Sequence, residues 1–257
     1  MDRDHVISVK NLSAGRMDAP VLKAISFVLP AGSQLAITGA SGSGKTTLGL
    51  ALAGRLFYRG TIEITPPAPT IAWVDQQHHF KNRSNTSDLY YQQRYNSYDA
   101  EEAQTAGESL GAGSRRVLEI MQIGYLHDRP LVQLSSGENK KLQLAQALLL
   151  QPSILIMDQP FTGLDAATRT YLDELLGRLA GGGMTIIVIC GETEVPSCIT
   201  HVAVLENGSL ASMQDRDQFM QRAVRPVANH GEDHSSLKTL MTAAATQATG
   251  SVIRMNG

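Results

Sequence analysis

The chain has 257 residues, of which 42% are hydrophobic and 18% charged, so it can bury one large core or two smaller ones. Its formal net charge of −2 at pH 7 provides no general attraction to nucleic acid. Cys190 and Cys198 are the only cysteines, without a CxxC pair or a secretory leader, which predicts reduced thiols in a cytoplasmic protein. The longest apolar run, residues 184–190, is far too short to span a bilayer, so another chain would have to supply any passage through a membrane.

The N-terminal part predicts strands that lead into a glycine-rich loop. Apolar residues alternate at 6–9 and 25–28, as they do in short strands. Residues 33–38 predict a further strand and residues 46–53 an apolar-faced helix. Between them, residues 39–46 read GASGSGKT, and the glycines permit the tight turn that joins a strand to a helix.

This loop has the GxxxxGK[ST] spacing of a phosphate site. Its backbone N–H groups can point at phosphates, Lys45 can reach the β and γ oxygens, and the Thr46 hydroxyl can ligate Mg²⁺. A glycine-rich turn without a ligand is the alternative, which the full spacing between strand and helix disfavours. We therefore predict binding of ATP and Mg²⁺, with these nucleotide-binding residues: Gly39, Ala40, Ser41, Gly42, Ser43, Gly44, Lys45, Thr46 and Thr47.

The middle of the chain contains a polar stretch between two apolar segments. Residues 70–74 predict a strand, which Asp75 and Gln76 follow. Residues 77–115 are polar and irregular, and their tyrosines and arginines suit stacking on bases or, equally, packing of a helical lid or a partner surface. Apolar spacing over residues 116–126 predicts a helix.

A serine- and glycine-containing turn precedes the next helix. Ser135, Ser136, Gly137 and Glu138 lead into the apolar-patterned residues 139–149. The hydroxyls, the bare glycine backbone and the positive end of the helix together suit an anion. A serine-capped helix without a ligand is the alternative reading of the same residues.

An apolar strand then ends at a carboxylate. Residues 153–157 are a continuous apolar run of strand length, typical of a buried parallel strand, and Asp158 follows. Beside the glycine-rich loop, Asp158 would hold Mg²⁺ directly or through water. A helix cap is the other role of an aspartate at a strand end.

The last third alternates helix and strand. A helix through residue 179, a three-glycine break, a strand over residues 184–190 and two short strands at 202–205 and 208–210 are predicted. His201 is interpreted as an ordinary surface or strand-edge histidine. Alternation of this kind predicts an α/β fold with a parallel sheet.

The turn at 134–138, in its place between the glycine-rich loop and Asp158, resembles the LSGGQ signature of the ABC ATPase family. The resemblance implies a P-loop NTPase core of the ABC type with a parallel sheet, a small antiparallel β subdomain and a helical subdomain. It implies an ATP hydrolase in which two ABC domains face head to tail. Residues 135–138 of one domain would then complete the ATP site of its partner.

Further roles are implied by the same resemblance. Gln76 stands where the family's Q-loop glutamine touches Mg²⁺, so the implied metal residues are Thr46, Gln76 and Asp158. Residues 162–165 resemble the D-loop, although Asp165 also fits a helix cap. Arg16 stands near the place where the family stacks an aromatic ring on adenine, and a solvated loop arginine is the equal alternative.

Two departures from the family concern hydrolysis. Gln159 occupies the position of the catalytic glutamate, and an amide has a similar shape but cannot accept a proton from water. The resemblance therefore implies slow turnover, and it leaves open a naturally degenerate site or a deliberate glutamate-to-glutamine change. Cys190 and Gly191 stand where the switch histidine is expected.

The C-terminal end resembles a linker followed by a repeat. Residues 229–250 are rich in His, Ser, Thr, Ala and Gly, and residues 251–257 resemble the first strand near residues 6–12. We predict an ABC domain over residues 1–228, with its core at 1–77 and 151–228 and an insertion and helical subdomain at 78–150. The narrower resemblance is to the N-terminal half of tandem soluble ABC ATPases associated with molybdate transport.

Three functions fit these residues. The first is an ATP-binding subunit that energises transport through separate membrane permease subunits, placed at the inner face of the cell membrane. The second is a soluble tandem ABC protein with a regulatory or remodelling role. The third is an ATP-dependent dimerisation module that does not hydrolyse its nucleotide.

Overall fold

The computed structural model describes residues 5–15, 20–76 and 104–223. Two sheets and six α-helices form most of this part of the chain. The strands are β1 His5–Gly15, β2 Pro20–Pro30, β3 Leu35–Gly39, β4 Tyr58–Ile64, β5 Ile71–Val74, β6 Ile154–Asp158, β7 Thr185–Ile189, β8 His201–Glu206 and β9 Ser209–Asp215. The helices are α1 Lys45–Leu52, α2 Ala106–Leu110, α3 Ser114–Ile120, α4 Ser136–Leu149, α5 Ala166–Gly181 and α6 Arg216–Ala223.

The small sheet is antiparallel and has the strand order β2-β1-β4. Buried apolar residues alternate with exposed ones along most of β2, as expected of a strand with one face toward the core. The buried residues are Leu22, Ile25, Phe27 and Leu29. The predicted strands at 6–9 and 25–28 lie within β1 and β2. β4 is mostly exposed along its length, so its sequence carries little of the apolar alternation that marks a strand.

The large sheet has the order β5-β6-β7-β3-β8-β9, and all its pairs are parallel except β8 with β9. Every residue of β6 and β7 is buried, which explains their continuous apolar runs, because both faces of a parallel sheet are covered. The α/β prediction, with a largely parallel sheet and a small antiparallel subdomain, is confirmed. The C-terminal ends of β3, β5, β6 and β7 meet at one edge of the sheet.

Two hydrophobic clusters cover the two faces of the large sheet. Leu155 and Met157 of β6 belong to the cluster that includes α4 and α5, whereas Ile154 and Ile156 belong to the cluster that includes α1 and the small sheet. This division follows from the two-residue period of a strand. The helices α4 and α5 therefore pack on one face of the large sheet, and α1 packs on the other.

The helices α2, α3 and α4 pack against one another. The predicted helix over 116–126 is only partly right: α3 ends at Ile120, Gln122 has a positive φ of 58°, and a 3₁₀ turn follows at Gly124–Leu126. α2 lies in the stretch predicted to be irregular, where Thr105 and Glu108 form a capping box at its start. Among the described helices, none combines the length and apolar character needed to cross a bilayer.

Candidate nucleotide-binding site

The glycine-rich loop joins β3 to α1 in the predicted place. Gly44 is the N-cap of α1 with a φ of 99°, and a Cβ atom on it would lie 2.7 Å from Leu22 Cδ2. Gly39 has a φ of 134°, and a Cβ there would collide with the Leu205 carbonyl oxygen. Positive φ and close neighbours together require glycine at both positions. No side chain caps the first turn of α1, so its backbone N–H groups suit an external anion.

Lys45 lies along this loop. Its Nζ donates hydrogen bonds to the carbonyl oxygens of Gly39, at 2.8 Å, and of Ala40, at 2.7 Å. The loop carbonyls thus hold the ammonium group beside a cavity that the loop residues help to line. A cation in this position attracts phosphate oxygens.

Thr46 and Asp158 meet although they are 112 residues apart. The Thr46 hydroxyl donates to Asp158 Oδ2 at 2.8 Å, and the buried Oδ1 of Asp158 has no hydrogen-bond partner among the described residues. Burial raises the pKa of Asp158 and the Asp75 charge adds to this, whereas the Thr46 hydrogen bond, Lys140 and Lys45 lower it. A buried carboxylate oxygen without a partner next to a hydroxyl is a donor set that suits Mg²⁺.

A cavity of about 430 Å³ lies over the loop. This volume is within the usual range for sites of small molecules. The sequence predicted every lining residue except Val21, which is exposed at the start of β2 because its neighbour Leu22 points into the core. The cavity is lined by Val21, Ser41, Gly42, Gly44, Lys45, Thr46, Thr47, Gln76 and Gln159.

Gln159 directly follows Asp158 and lines the same cavity. Its backbone has a φ of 47°, and its N–H donates to the Ile189 carbonyl oxygen at 2.8 Å. Left-handed φ values are uncommon for residues other than glycine and concentrate at functional sites. The fold therefore holds Gln159 in the lining of the cavity, together with Gln76.

The turn at 135–138 is a capping box that lies outside the cavity lining. Ser135 Oγ accepts from the Glu138 N–H at 3.2 Å, and Glu138 Oε2 accepts from the Ser135 N–H at 2.8 Å. Glu138 Oε1 also accepts from Arg129 Nη1 at 2.6 Å. Burial acts to raise the pKa of Glu138, but the Ser135 hydrogen bonds and the charges of Arg129 and Lys141 outweigh it, so the pKa is lowered.

Gly137 has a packing role in the same turn. A Cβ on Gly137 would lie 3.0 Å from the Thr168 hydroxyl in the first turn of α5. Asp165 caps that helix, since it accepts from the Thr168 N–H at 2.9 Å and from its hydroxyl at 2.8 Å. The bare glycine thus lets the start of α4 approach the start of α5 closely.

Cys190, which stands where the family's switch histidine is expected, and the nearby His201 both lie among the described residues. Cys190 follows β7 and is fully buried, and burial, with Glu194, raises the pKa of its thiol to about 12. His201 pairs with Leu35 at the start of β3, the end away from the glycine-rich loop, and its Nδ1 contacts the Thr200 hydroxyl at 2.8 Å. Arg16, the tyrosine-rich stretch and the possible repeat at 251–257 lie outside the described residues.

A glycine-rich loop between strand and helix, with a hydroxyl–carboxylate pair at the end of a nearby parallel strand, defines a P-loop nucleotide-binding fold. The family model described as ABC transporter matches residues 22–162. A putative ABC transporter ATP-binding protein of Methanosarcina acetivorans is 32% identical over 219 residues, which cover 78% of each chain. The chain belongs to the ABC transporter family, as an ATPase domain of that family.

Two further comparisons agree with this assignment. The ABC transporter ATP-binding protein ModF of Escherichia coli is 30% identical over 237 residues, which cover 84% of this chain and 45% of ModF. The chain spans about half the length of the first curated relatives that it matches. An ATP-binding cassette solved as a dimer with ADP and phosphate shares the fold, with a TM-score of 0.65, 20% identity and coverage of 81% of this chain and 98% of that one.

Proposed function

We propose that this chain binds Mg·ATP in the cavity over the glycine-rich loop and couples binding and hydrolysis, at a head-to-tail dimer interface, to transport through separate membrane permease subunits. The observation that carries the proposal is the contact of Thr46 with buried Asp158 beside Lys45. A buried carboxylate oxygen that lacks a partner among the described residues favours a bound cation at this place. The proposed domain is residues 1–228, working in the cytoplasm at the inner face of the membrane.

Most residues of the cavity lining have a proposed role. Lys45 and the N–H groups of residues 40–46 bind the phosphates, while Thr46, Asp158 and Gln76 hold Mg²⁺. The bound metal supplies positive charge that offsets the charge of the phosphates. Val21 and Arg16 are proposed to contact the nucleoside end, since Val21 is the apolar residue of the lining.

Gln159 is proposed to orient water without activating it. Its amide can donate and accept hydrogen bonds, but it cannot take up the proton that a glutamate would accept. The location of Gln159 in the cavity lining supports a direct role. The proposed consequence is a closed, ATP-bound state that forms readily and is reset slowly.

The α4 turn is proposed to act on a second ABC domain. Ser135, Ser136 and Gly137 lie at the N-terminal end of a 14-residue helix whose dipole favours an anion. They are absent from the cavity lining of their own chain, which supports a role in completing the site of a partner. Glu138 holds the turn in place, because its carboxylate accepts hydrogen bonds from Ser135 and Arg129.

The test measures molar mass and ATP turnover together. We expect Mg·ATP to convert monomer to dimer in light scattering, since a ligand that binds between two domains stabilises the dimer. Gln159→Glu should raise turnover and shorten the lifetime of the dimer, whereas Gln159→Ala should not raise turnover. An unchanged mass with saturating Mg·ATP would contradict the shared site, and equal turnover of the Glu and Gln proteins would favour a dimerisation module.

A soluble tandem protein is the second candidate. It is favoured by the length of the first curated relatives, of which the chain spans about half. Purification of the full gene product separates the candidates: a membrane permease that co-purifies supports transport, and a two-domain protein that purifies without one supports regulation or remodelling.

A further inference from the structure

Two adjacent lysines of α4 have different surroundings. Lys140 is 5% exposed, whereas the neighbouring Lys141 is half-buried and places its Nζ 4.3 Å from the centre of the Tyr171 ring. A lysine is rarely buried to this extent unless its ammonium group has partners. We therefore expect the ammonium group of Lys140 to have partners inside the fold, unlike that of its neighbour.

The partners of Lys140 belong to the segment that leads into the cavity. Its Nζ donates to the carbonyl oxygens of Asp75, at 2.7 Å, and of Gln76, at 3.3 Å. It also donates to Gln143 Oε1 at 3.3 Å, one turn further along α4. Burial lowers the pKa of Lys140 to about 8, while the charges of Asp75 and Asp158 oppose this.

Asp75 is held from a second side. Trp73 Nε1 donates to Asp75 Oδ1 at 2.6 Å, so the side chain of Asp75 is bound by β5 and its carbonyl by α4. Gln76 comes next in the chain and lines the cavity. Two anchors on its neighbour and one on its own carbonyl leave the Gln76 backbone little freedom to move relative to α4.

We propose that Lys140 is a positioning residue that fixes Gln76 to α4, so that the Mg²⁺-dependent part of ATP binding depends on where α4 lies. The inference rests on the proposed function of the cavity. Lys140 is five residues from Ser135, or about 7.5 Å along the helix axis. The hydrogen bonds from Lys140 to the carbonyl oxygens of Asp75 and Gln76 thus tie the cavity lining to the same helix whose start is proposed to face a partner.

The experiment compares ATP affinity in Mg²⁺ with ATP affinity in EDTA, by titration calorimetry, for single variants. Lys140→Met should reduce the gain in affinity due to Mg²⁺ by about fivefold or more. Its affinity in EDTA should stay within about twofold of the parent, because the glycine-rich loop is untouched. Lys140→Arg should restore part of the gain, and Lys141→Met, the matched control, should leave it unchanged.

A second measurement needs no nucleotide. Trp73 is the only tryptophan in the chain, so its emission reports on the hydrogen bond to Asp75. Lys140→Met should shift this emission, and Lys141→Met should not. If Lys140→Met fails to fold, Lys140→Gln takes its place, since it keeps a polar group but loses the charge and the reach.

The outcomes separate the inference from the proposed function. A parent protein that binds no ATP under either condition refutes the proposed function. A parent that binds ATP with a clear gain from Mg²⁺, beside a Lys140→Met protein with the same gain, overturns the inference alone. Equal losses in EDTA and in Mg²⁺ also overturn it, because they would indicate a general structural role for Lys140.

Discussion

The starts of α1 and α4 both follow small residues, but the first backbone N–H groups of the two helices differ in their hydrogen-bond partners. Gly44 precedes α1 as its N-cap, without a side-chain hydrogen bond to the first turn and without an acidic residue in that turn. Ser135 precedes α4 as its N-cap and forms a full capping box, in which Glu138 supplies a carboxylate. The first end is open to an anion from outside, and the second contains an anion of its own.

This difference shows that two helix starts of similar composition can leave their backbone N–H groups open in one place and capped in another. The glycines of the α1 loop have positive φ and bare backbone at a cavity, whereas Gly137 allows close packing on Thr168. We therefore expect changes at the α1 end to affect ligand binding and changes at the α4 end to affect the stability of the isolated domain.

The largest effect is expected at Lys45. Lys45→Ala removes the cation at the cavity, and ATP affinity should fall by about 100-fold or more, because the charged group that is proposed to contact phosphate is lost. Calorimetric titration measures this loss. Lys23→Ala, an exposed lysine of β2 outside the lining, serves as the control and should bind normally; normal binding by Lys45→Ala would refute the phosphate site.

Asp158→Asn tests whether the carboxylate serves a metal or the fold. The gain in ATP affinity due to Mg²⁺ should fall by about tenfold, while the nucleotide-free protein should be at least as stable as the parent. Since the pKa of Asp158 is raised in the folded state, folding holds its proton more tightly, and stability declines as pH rises through that pKa. The Asn variant should lack this decline in urea unfolding, and marked destabilisation would instead indicate a structural carboxylate.

Ser135→Ala tests the start of α4. The loss of the N-cap hydrogen bond should lower the free energy of unfolding by about 1 kcal/mol, measured by urea denaturation, and ATP binding to the monomer should not change. Ser209→Ala, which changes an exposed serine at the start of the edge strand β9, is the stability control. Weaker ATP binding by the Ser135→Ala monomer would show that the two ends are not separate in function.

Glu138→Gln should have the smallest effect. The amide can still accept from the Ser135 N–H, but the attraction to Arg129 is lost, which should cost about 0.5 kcal/mol. Because the folded-state pKa of Glu138 is lowered, its stabilisation is present above the unfolded pKa and disappears as pH falls through the folded value. The parent and the variant should thus differ at pH 7 and converge in acid; a constant difference across this range would argue against the ion pair.

Much of the cavity could be predicted because its parts are local in the chain. The GxxxxGK[ST] spacing specifies a strand, a turn with positive φ and a helix within a few residues, and a continuous apolar run that ends at Asp158 specifies a buried strand. The place of β4 and the end of α3 were harder to predict. β4 is mostly exposed, so its sequence lacks the apolar alternation of a half-buried strand. The change of direction after α3 depends on the positive φ of Gln122, which the pattern of apolar residues does not indicate.

The sequence by itself determined the glycine-rich loop, the carboxylate at the end of β6 and the α/β class, because each depends on short-range pattern. Only the tertiary structure decided that β7 lies between β3 and β6, that α1 brings Thr46 to Asp158, and that Lys140 binds the carbonyl oxygens of Asp75 and Gln76. These contacts join residues 64 to 112 positions apart. They depend on the order of strands in the sheet and on the packing of helices over it, and periodicity along the chain carries no information on either.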